Sequence, residues 1–366
     1  MWIFKMPALL PILQRLSALA MFAWSLWVVP STYSQPLSEL RFGGRIPPEV
    51  NRIYERGLNF LVQSQGKDGG WGEGRSSHYR NGVTALCIMA FLSCGEDPNF
   101  GRYSVSLQRA LRNLIRAQDT KTGYFDSSMY DHGFAMLALA EAYGAVDDRI
   151  LWKKASRKEI GKNRSIGKAL ELAVQCAVTS QNSNPNGAWR YSPDATDADT
   201  SVAGAVLVGL LAARNAGIAI PDTNIDHALE YFSLMTGDDG SVGYSGIGSS
   251  GRSLARSSIA NLVYSVGKHK DWEEHKLTLE YLKKNMFERT SSHWSQEYSN
   301  YYLAQALFQS DFEAWEKWNA ETIDHLASNQ RDDGSFDFQS HGVAYSTSMS
   351  LLALALNYRF LPVYER

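Results

Sequence analysis

Cysteine is scarce in this chain: three among 366 residues, Cys87, Cys94 and Cys176. The number is odd and all three fall in segments with helical apolar spacing, so no disulfide framework is implied and small buried core residues are expected. No CxxC or HExxH spacing occurs and the eight histidines are scattered, which leaves no dedicated zinc site. No motif calls for any other cofactor. Net charge is nearly absent too, a formal -2 at pH 7, and the basic face that nucleic-acid binding requires is missing. The dense cationic run WKKASRKEIGKNR (152–164) reads as a solvated loop. Segments alternating apolar and polar residues, the mark of half-buried strands, are almost wanting, so the class is all-α.

A long uninterrupted apolar run is also lacking. Lys5 and Arg15 precede an apolar segment from about Leu16 to Val29, and Thr32 and Ser34 stand at -3 and -1 of a cleavage after Ser34. This is the layout of a secretory signal over 1–34, with 35–366 as one domain. A membrane anchor is the alternative, although Arg15 leaves less than the ~20 apolar residues of a comfortable span. Both readings put the folded part outside the cytoplasm, periplasmic or secreted, and the second associates it with a membrane.

What the chain does have is a repeat. SQGKDGGWGEG (64–74), AQDTKTGYFDS (117–127), SQNSNPNGAWRYS (180–192), MTGDDGSVGYSG (235–246) and NQRDDGSFDFQS (329–340) each run from the end of a helix-like segment through a polar Gly/Asp turn to an aromatic residue. A segment rich in Ala and Leu follows every turn, as in NGVTALCIMAFLSCG (81–95) and DTSVAGAVLVGLLAARNAG (199–217). A sixth unit within 279–310 lacks the Gly turn and keeps an aromatic. Six helix pairs result, and closure into a ring removes the exposed ends that an open solenoid must cap. The small-residue second segments are expected inside and the charged first segments outside. Gly supplies positive φ where the outer helix ends, and the aromatics, taken as Trp71, Tyr124, Trp189, Tyr244 and Phe336, are expected to tie each unit to the next.

These Gln…Gly-aromatic units resemble the QW motifs of the squalene–hopene and oxidosqualene cyclases, and more broadly the prenyltransferase and squalene oxidase repeat superfamily, over residues ~48–363. YSPDATDADTSVAG, YDHGFAMLALAEAYG and YRFLPVYER look most like secreted bacterial relatives with a single toroid. The resemblance implies a closed α/α toroid of six helix pairs. In the cyclases a D-x-D-D-T-A motif carries the aspartate that protonates an alkene; here Asp197-Ala198-Asp199-Thr200-Ser201 matches the first two acids and has Thr200 in place of the third. The mature chain is also long enough for one helical domain where those cyclases use two. A protein prenyltransferase would need a D-x-C pair and finds Asp199-Thr200-Ser201. A thioester needs G-C-G-E-Q, and Cys94-Gly95-Glu96 is followed by Asp97.

Asp199 therefore carries two readings, proton donor with Asp197 as its proton-sharing partner, or N-cap of the apolar helix that follows. The starts of the inner helices all open to one face. That face gathers His78-Tyr79-Arg80, Tyr130-Asp131-His132, Arg252, Arg256, Glu297 to Tyr302 (with Tyr298, Tyr301 and Tyr302), His341 and Tyr345, and reads as a polar rim around a ligand site. Three functions fit. An isoprenoid cyclase would use Asp199 as acid and Tyr298, Tyr301, Tyr302 and Tyr345 to face the cation. A glycan hydrolase or lyase would set Asp131 or Asp199 opposite Glu297. A non-catalytic toroid would hold a lipid, peptide or glycan, with His132 and His341 as structural groups. The lining of the cavity discriminates: dry and aromatic for isoprenoids, polar with paired acids for glycans.

Overall fold

The computed structural model describes residues 46–72, 74–153, 163–246, 253–288, 296–338 and 341–361. The expected signal segment, its cleavage signature and positions 289–295 of the sixth unit lie outside the described residues. From Ile46 onward the chain forms one compact unit. Among the described residues there is no strand beyond two isolated bridges, and no helix is long and apolar enough to cross a membrane.

Thirteen α-helices are described. Six form an inner ring: α2 (Arg80–Ser93), α4 (Met129–Ala142), α7 (Thr200–Asn215), α9 (Leu254–Val266), α11 (Gln296–Ser310) and α13 (Val343–Leu354). Each packs on the next in that order, and α13 returns to pack on α2, so the ring is closed. These are the Ala/Leu-rich segments, buried on every side. Their small residues let backbones approach: a Cβ on Gly133 of α4 would stand 2.6 Å from the carbonyl carbon of Ala205 in α7.

Six more helices form the outer wall: α1 (Pro48–Ser64), α3 (Ser104–Ala117), α6 (Ile166–Asn182), α8 (Asp222–Met235), α10 (Glu273–Asn285) and α12 (Phe312–Asn329). A short helix, α5 (Asp148–Lys153), lies between α4 and α6. The outer helices bury one stripe, as α1 does through Val50, Ile53, Tyr54, Gly57, Leu58 and Leu61. All three cysteines are free. Burial pushes the Cys94 thiol up to about 12 and Cys176 to about 11, which keeps both as unreactive thiols.

The turns explain the repeat. Gln65 at the end of α1 donates from Nε2 to the carbonyls of Gly69 and Ser106, both at 2.8 Å. Gln118 does the same to Gly123 and Ala169, Gln181 to Gly187 and Asn224, and Gln330 to Gly334 and Ile53. Each amide thus clasps its own turn and the next outer helix, and Gln330 closes the circle onto α1. The glycine sits against that same neighbour: Gly123 has φ +76°, and a Cβ there would meet the Leu172 carbonyl oxygen at 2.1 Å. Gln and Gly therefore tie these units to the next outer helix, and Tyr244 adds a contact across units, its hydroxyl 2.9 Å from that of Tyr191.

Trp71 and Trp189 also bond within their own pair. Trp71 Nε1 donates to the Leu61 carbonyl at 2.8 Å and Trp189 Nε1 to that of Ala177 at 2.9 Å. The buried place is the second residue after the positive-φ glycine, held by Trp71, Phe125, Trp189, Val242 and Phe336. The assignment of Tyr124 and Tyr244 to this place is corrected accordingly. Both are only partly buried, and Phe125 and Val242 fill the slots one full step closer to the core.

Candidate functional site

The inner helices begin on one face of the ring, and a cavity of about 360 Å³ opens among the starts of α2, α4, α11 and α13. Its wall consists of Tyr79, Tyr130, Tyr191, Tyr298 and Tyr345 with Phe134, the apolar Gly82, Val83 and Leu86, and the polar Ser128, Asp131 and His341. His341 stands between Tyr345 and Tyr79, with ring centroids 4.9 and 5.6 Å away. Tyr298 packs on Tyr130 at 6.0 Å and on Tyr302 at 4.9 Å.

Asp131 is the carboxyl in this wall. Ser128 caps α4, its Oγ accepting from the Asp131 amide at 3.2 Å, which sets Asp131 in the first turn. Its Oδ2 accepts a hydrogen bond from Ser127 Oγ. Its Oδ1 lies over Gly82, where a Cβ would come within 2.3 Å of it. The side chain is 3% exposed, and burial pushes the carboxyl up to about 7, against the opposing pull of the Ser127 hydroxyl. A large share of Asp131, about half at pH 7, thus stays protonated even at a helix N-terminus, where the dipole favours ionisation.

Asp199 has a different setting. It caps α7, its Oδ1 accepting from the amides of Ser201 and Val202, both at 2.9 Å. Its Oδ2 is 3.6 Å from Arg190 Nε. Burial pushes the carboxyl up to about 6, against the two amides and the guanidinium. Asp197 is exposed and pairs with Arg190 Nη1 at 2.8 Å. A cation therefore stands between the two acids, in place of the shared proton expected from their spacing. Arg190 also lies 5.7 and 5.6 Å from the rings of Tyr191 and Tyr244, whose hydroxyls are 2.9 Å apart. Tyr191 links this cluster to the cavity, but neither Asp197 nor Asp199 lines it.

No protein-family model matches the chain, and no curated protein does. Solved structures do match. The type II terpene cyclase MstE from Scytonema gives 15% identity and a TM-score of 0.54 over 86% of this chain and 100% of that one. A variant of it in complex with its substrate, geranylgeranyl dihydroxybenzoate, gives 14% and 0.56 over 86% and 99%. The GH76A α-1,6-mannanase from Salegentibacter gives 9% and 0.57 over 84% and 98%. The fold is an α/α toroid. At these identities the likeness speaks for architecture alone, and function must be argued from the site.

On this toroid the sequence-derived candidates separate. Asp131, Tyr298, His341 and Tyr345 meet at the cavity. His132 faces away: its Nδ1 accepts from the Phe125 amide at 3.3 Å and its Nε2 meets the Ala173 carbonyl at 2.9 Å. Burial pushes this imidazole down to about 4, so the neutral ring serves as a backbone clasp, the place taken by Thr84 and Thr347 in other units. Tyr301 and Tyr302 are buried in the ring centre behind the wall, with centroids 4.8 Å apart. The charged rim is largely spent on structure: Arg80 pairs with Asp68 at 2.6 Å, and Glu297 accepts from Ser346 Oγ at 3.0 Å in the interior. Tyr79 and Tyr130, read from the sequence as part of the polar rim, also line the cavity, while Phe134 and Tyr191 were missed. Their signal was position, each standing at or near the first turn of an inner helix or its approach.

Proposed function

We propose that the protein binds an isoprenoid in this cavity and cyclises it by acid initiation, in the manner of a squalene or terpenoid cyclase, with Asp131 as proton donor. The observation that carries the reading is a buried carboxyl, its ionisation opposed by burial, in a wall otherwise dominated by tyrosines, Phe134 and aliphatic groups. The carboxyl proton passes to a terminal alkene carbon, a C–H bond forms at the expense of the π bond, and a tertiary cation and a carboxylate result. The aromatic faces stabilise the cation through their quadrupoles, and loss of a proton from the cyclised cation completes an isomerisation that needs no co-reactant. The cavity lies within the roughly 300–1,000 Å³ common for small-molecule sites. The resemblance of the N-terminal segment to a secretory signal supports placing this chemistry outside the cytoplasm.

Glycoside hydrolysis asks for two carboxyls about 5–9.5 Å apart across the bond. The described cavity wall supplies one, so we rank the glycan reading second and simple ligand binding alongside it. The test is incubation of the purified protein with farnesyl- and geranylgeranyl-derived polyenes in D2O, with products read by mass spectrometry. The expected result is a cyclised isomer carrying one deuterium from wild type and from Asp199→Asn, and none from Asp131→Asn. Loss of product in Asp199→Asn alone would transfer the acid role to Asp199. Absence of product and of bound isoprenoid from wild type would sink the cyclase reading and turn attention to glycans.

A further inference from the structure

A donor that must stay neutral and yet release its proton to a carbon faces a conflict, because the burial that keeps it neutral also weakens it as an acid. The turn ahead of α4 answers this. Ser127 is one of the few described non-glycine residues with positive φ, at +117°, a conformation that costs free energy and persists only where the surroundings impose it. Here two contacts impose it. Asn81 Nδ2 of α2 donates to the Asp126 carbonyl at 3.1 Å, and the Met129 amide donates to the Tyr191 carbonyl at 2.9 Å. Held between them, the Ser127 hydroxyl reaches Asp131 Oδ2. On the other side of the carboxyl, Gly82 leaves the space that Oδ1 occupies.

We propose that Ser127 is a positioning residue that occupies Asp131 Oδ2, directs the carboxyl proton onto Oδ1 beside Gly82 at the cavity wall, and stabilises the carboxylate that forms when the proton leaves. This rests on the reading of Asp131 as the acid. The step balances: the O–H bond at Oδ1 breaks, its proton goes to substrate carbon, and the electron pair stays on a carboxylate that already accepts from Ser127. Such a donor, fixed in place before charge develops, lowers the barrier without reorganising. Tyr79, Tyr124, Tyr130, Tyr191, Tyr298, Tyr345 and His341 are titratable groups around this region, while His132 is engaged with backbone on the far side.

The test compares Ser127→Ala and Ser127→Gly in the full folded chain. Both remove the hydroxyl; only Gly suits the positive φ, so it keeps the experiment open if Ala fails to fold. The readout is the pH midpoint of the Asp131 carboxyl, followed by its infrared C=O band and assigned by loss of that band in Asp131→Asn. Both variants are expected to raise the midpoint by about one pH unit or more and to slow product formation at least about tenfold, with affinity for a saturated polyprenyl analogue unchanged. A midpoint unmoved in both variants would overturn the proposal, and so would a shift in Ala alone, which would trace the effect to backbone strain. If wild type yields no product while the midpoint still rises in both, the positioning of the proton stands and the cyclase reading falls.

Discussion

Replacing Asp131 by Asn removes an ionisable group whose ionisation the fold opposes. Burial lifts the carboxyl from 3.8 to about 7, so the folded chain stays protonated at pH values where the unfolded chain has already ionised. A raised carboxyl works against stability in alkali. Its effect is absent below about pH 4, and stability declines as pH climbs from there through about 7. Each pH unit of displacement is worth about 1.4 kcal/mol, so about three units amount to about 4 kcal/mol once the folded carboxyl has ionised. Asn keeps the shape and can still accept from Ser127 through its carbonyl oxygen, but it cannot ionise. The stability of the variant relative to wild type should therefore rise by about 4 kcal/mol between about pH 4 and pH 8 and then level off. His132 acts with the opposite sign. Its imidazole, pushed from 6.5 to about 4, makes both proteins lose stability as pH falls from about 6.5 to 4, by about 3 kcal/mol, and this loss cancels in the difference. Urea unfolding followed by helical circular dichroism across this range measures the quantity. A difference that stays flat with pH would refute the claim that the folded protein keeps Asp131 protonated.

The remaining predictions concern the frame around the site. Gln330→Leu removes both amide donations at the ring closure, to Ile53 and Gly334, and is expected to cost about 1–3 kcal/mol in urea unfolding, with Gln118→Leu similar. Gly123→Ala combines positive φ with a collision against Leu172 and should cost about 2 kcal/mol or more, whereas Gly144→Ala, also at positive φ but with nothing within 4 Å of its Cβ, should cost about 1 kcal/mol. Equal losses at the two glycines would mean that the outer helices can yield. Asp199→Ala should lower stability by about 0.5–2 kcal/mol and Asp199→Asn by much less, since Asn caps nearly as well; equal losses would point to the ion pair with Arg190 instead.

The ring of six pairs was readable because its determinants are local. A glutamine, a glycine a few residues on, and an apolar residue two further along form one short turn, and the turn is repeated around the circle. The error over Tyr124 and Tyr244 arose where bulky residues stand one place apart, as Tyr124 and Phe125 do, or two, as Val242 and Tyr244 do. Only the backbone turn decides which of them points inward, and Val242 demonstrates that the slot needs bulk rather than an aromatic ring. The site was less legible. Asp199 drew notice through its resemblance to a catalytic motif, yet the space opens beside α2, α4, α11 and α13. Which helix starts border space depends on how distant loops cover them, and no local pattern encodes that. In the Tyr130-Asp131-His132 run the first two line the cavity and the third clasps backbone on the far side, a division set by a helical rotation of about 100° per residue.

The latch between the first and last helix pairs joins residues far apart in the chain: Gln330 to Ile53, Tyr54 to Leu351 and Asn51 to Tyr358, with separations of 277, 297 and 307 residues. A ribosome adding about 5–20 residues per second delivers the two sides of this latch roughly 15 to 60 s apart. Through that interval the apolar stripe of α1 and one flank of α2 have no partner to cover them, and the nascent arc offers two sticky ends to any neighbour. Contacts of such long range are also slow to find by diffusion once the whole chain is free. Production of this protein should consequently depend on how well the cell shelters an unfinished circle, and a message truncated before Val343 would yield an open arc whose earlier repeats, individually sound, never acquire their closing neighbour.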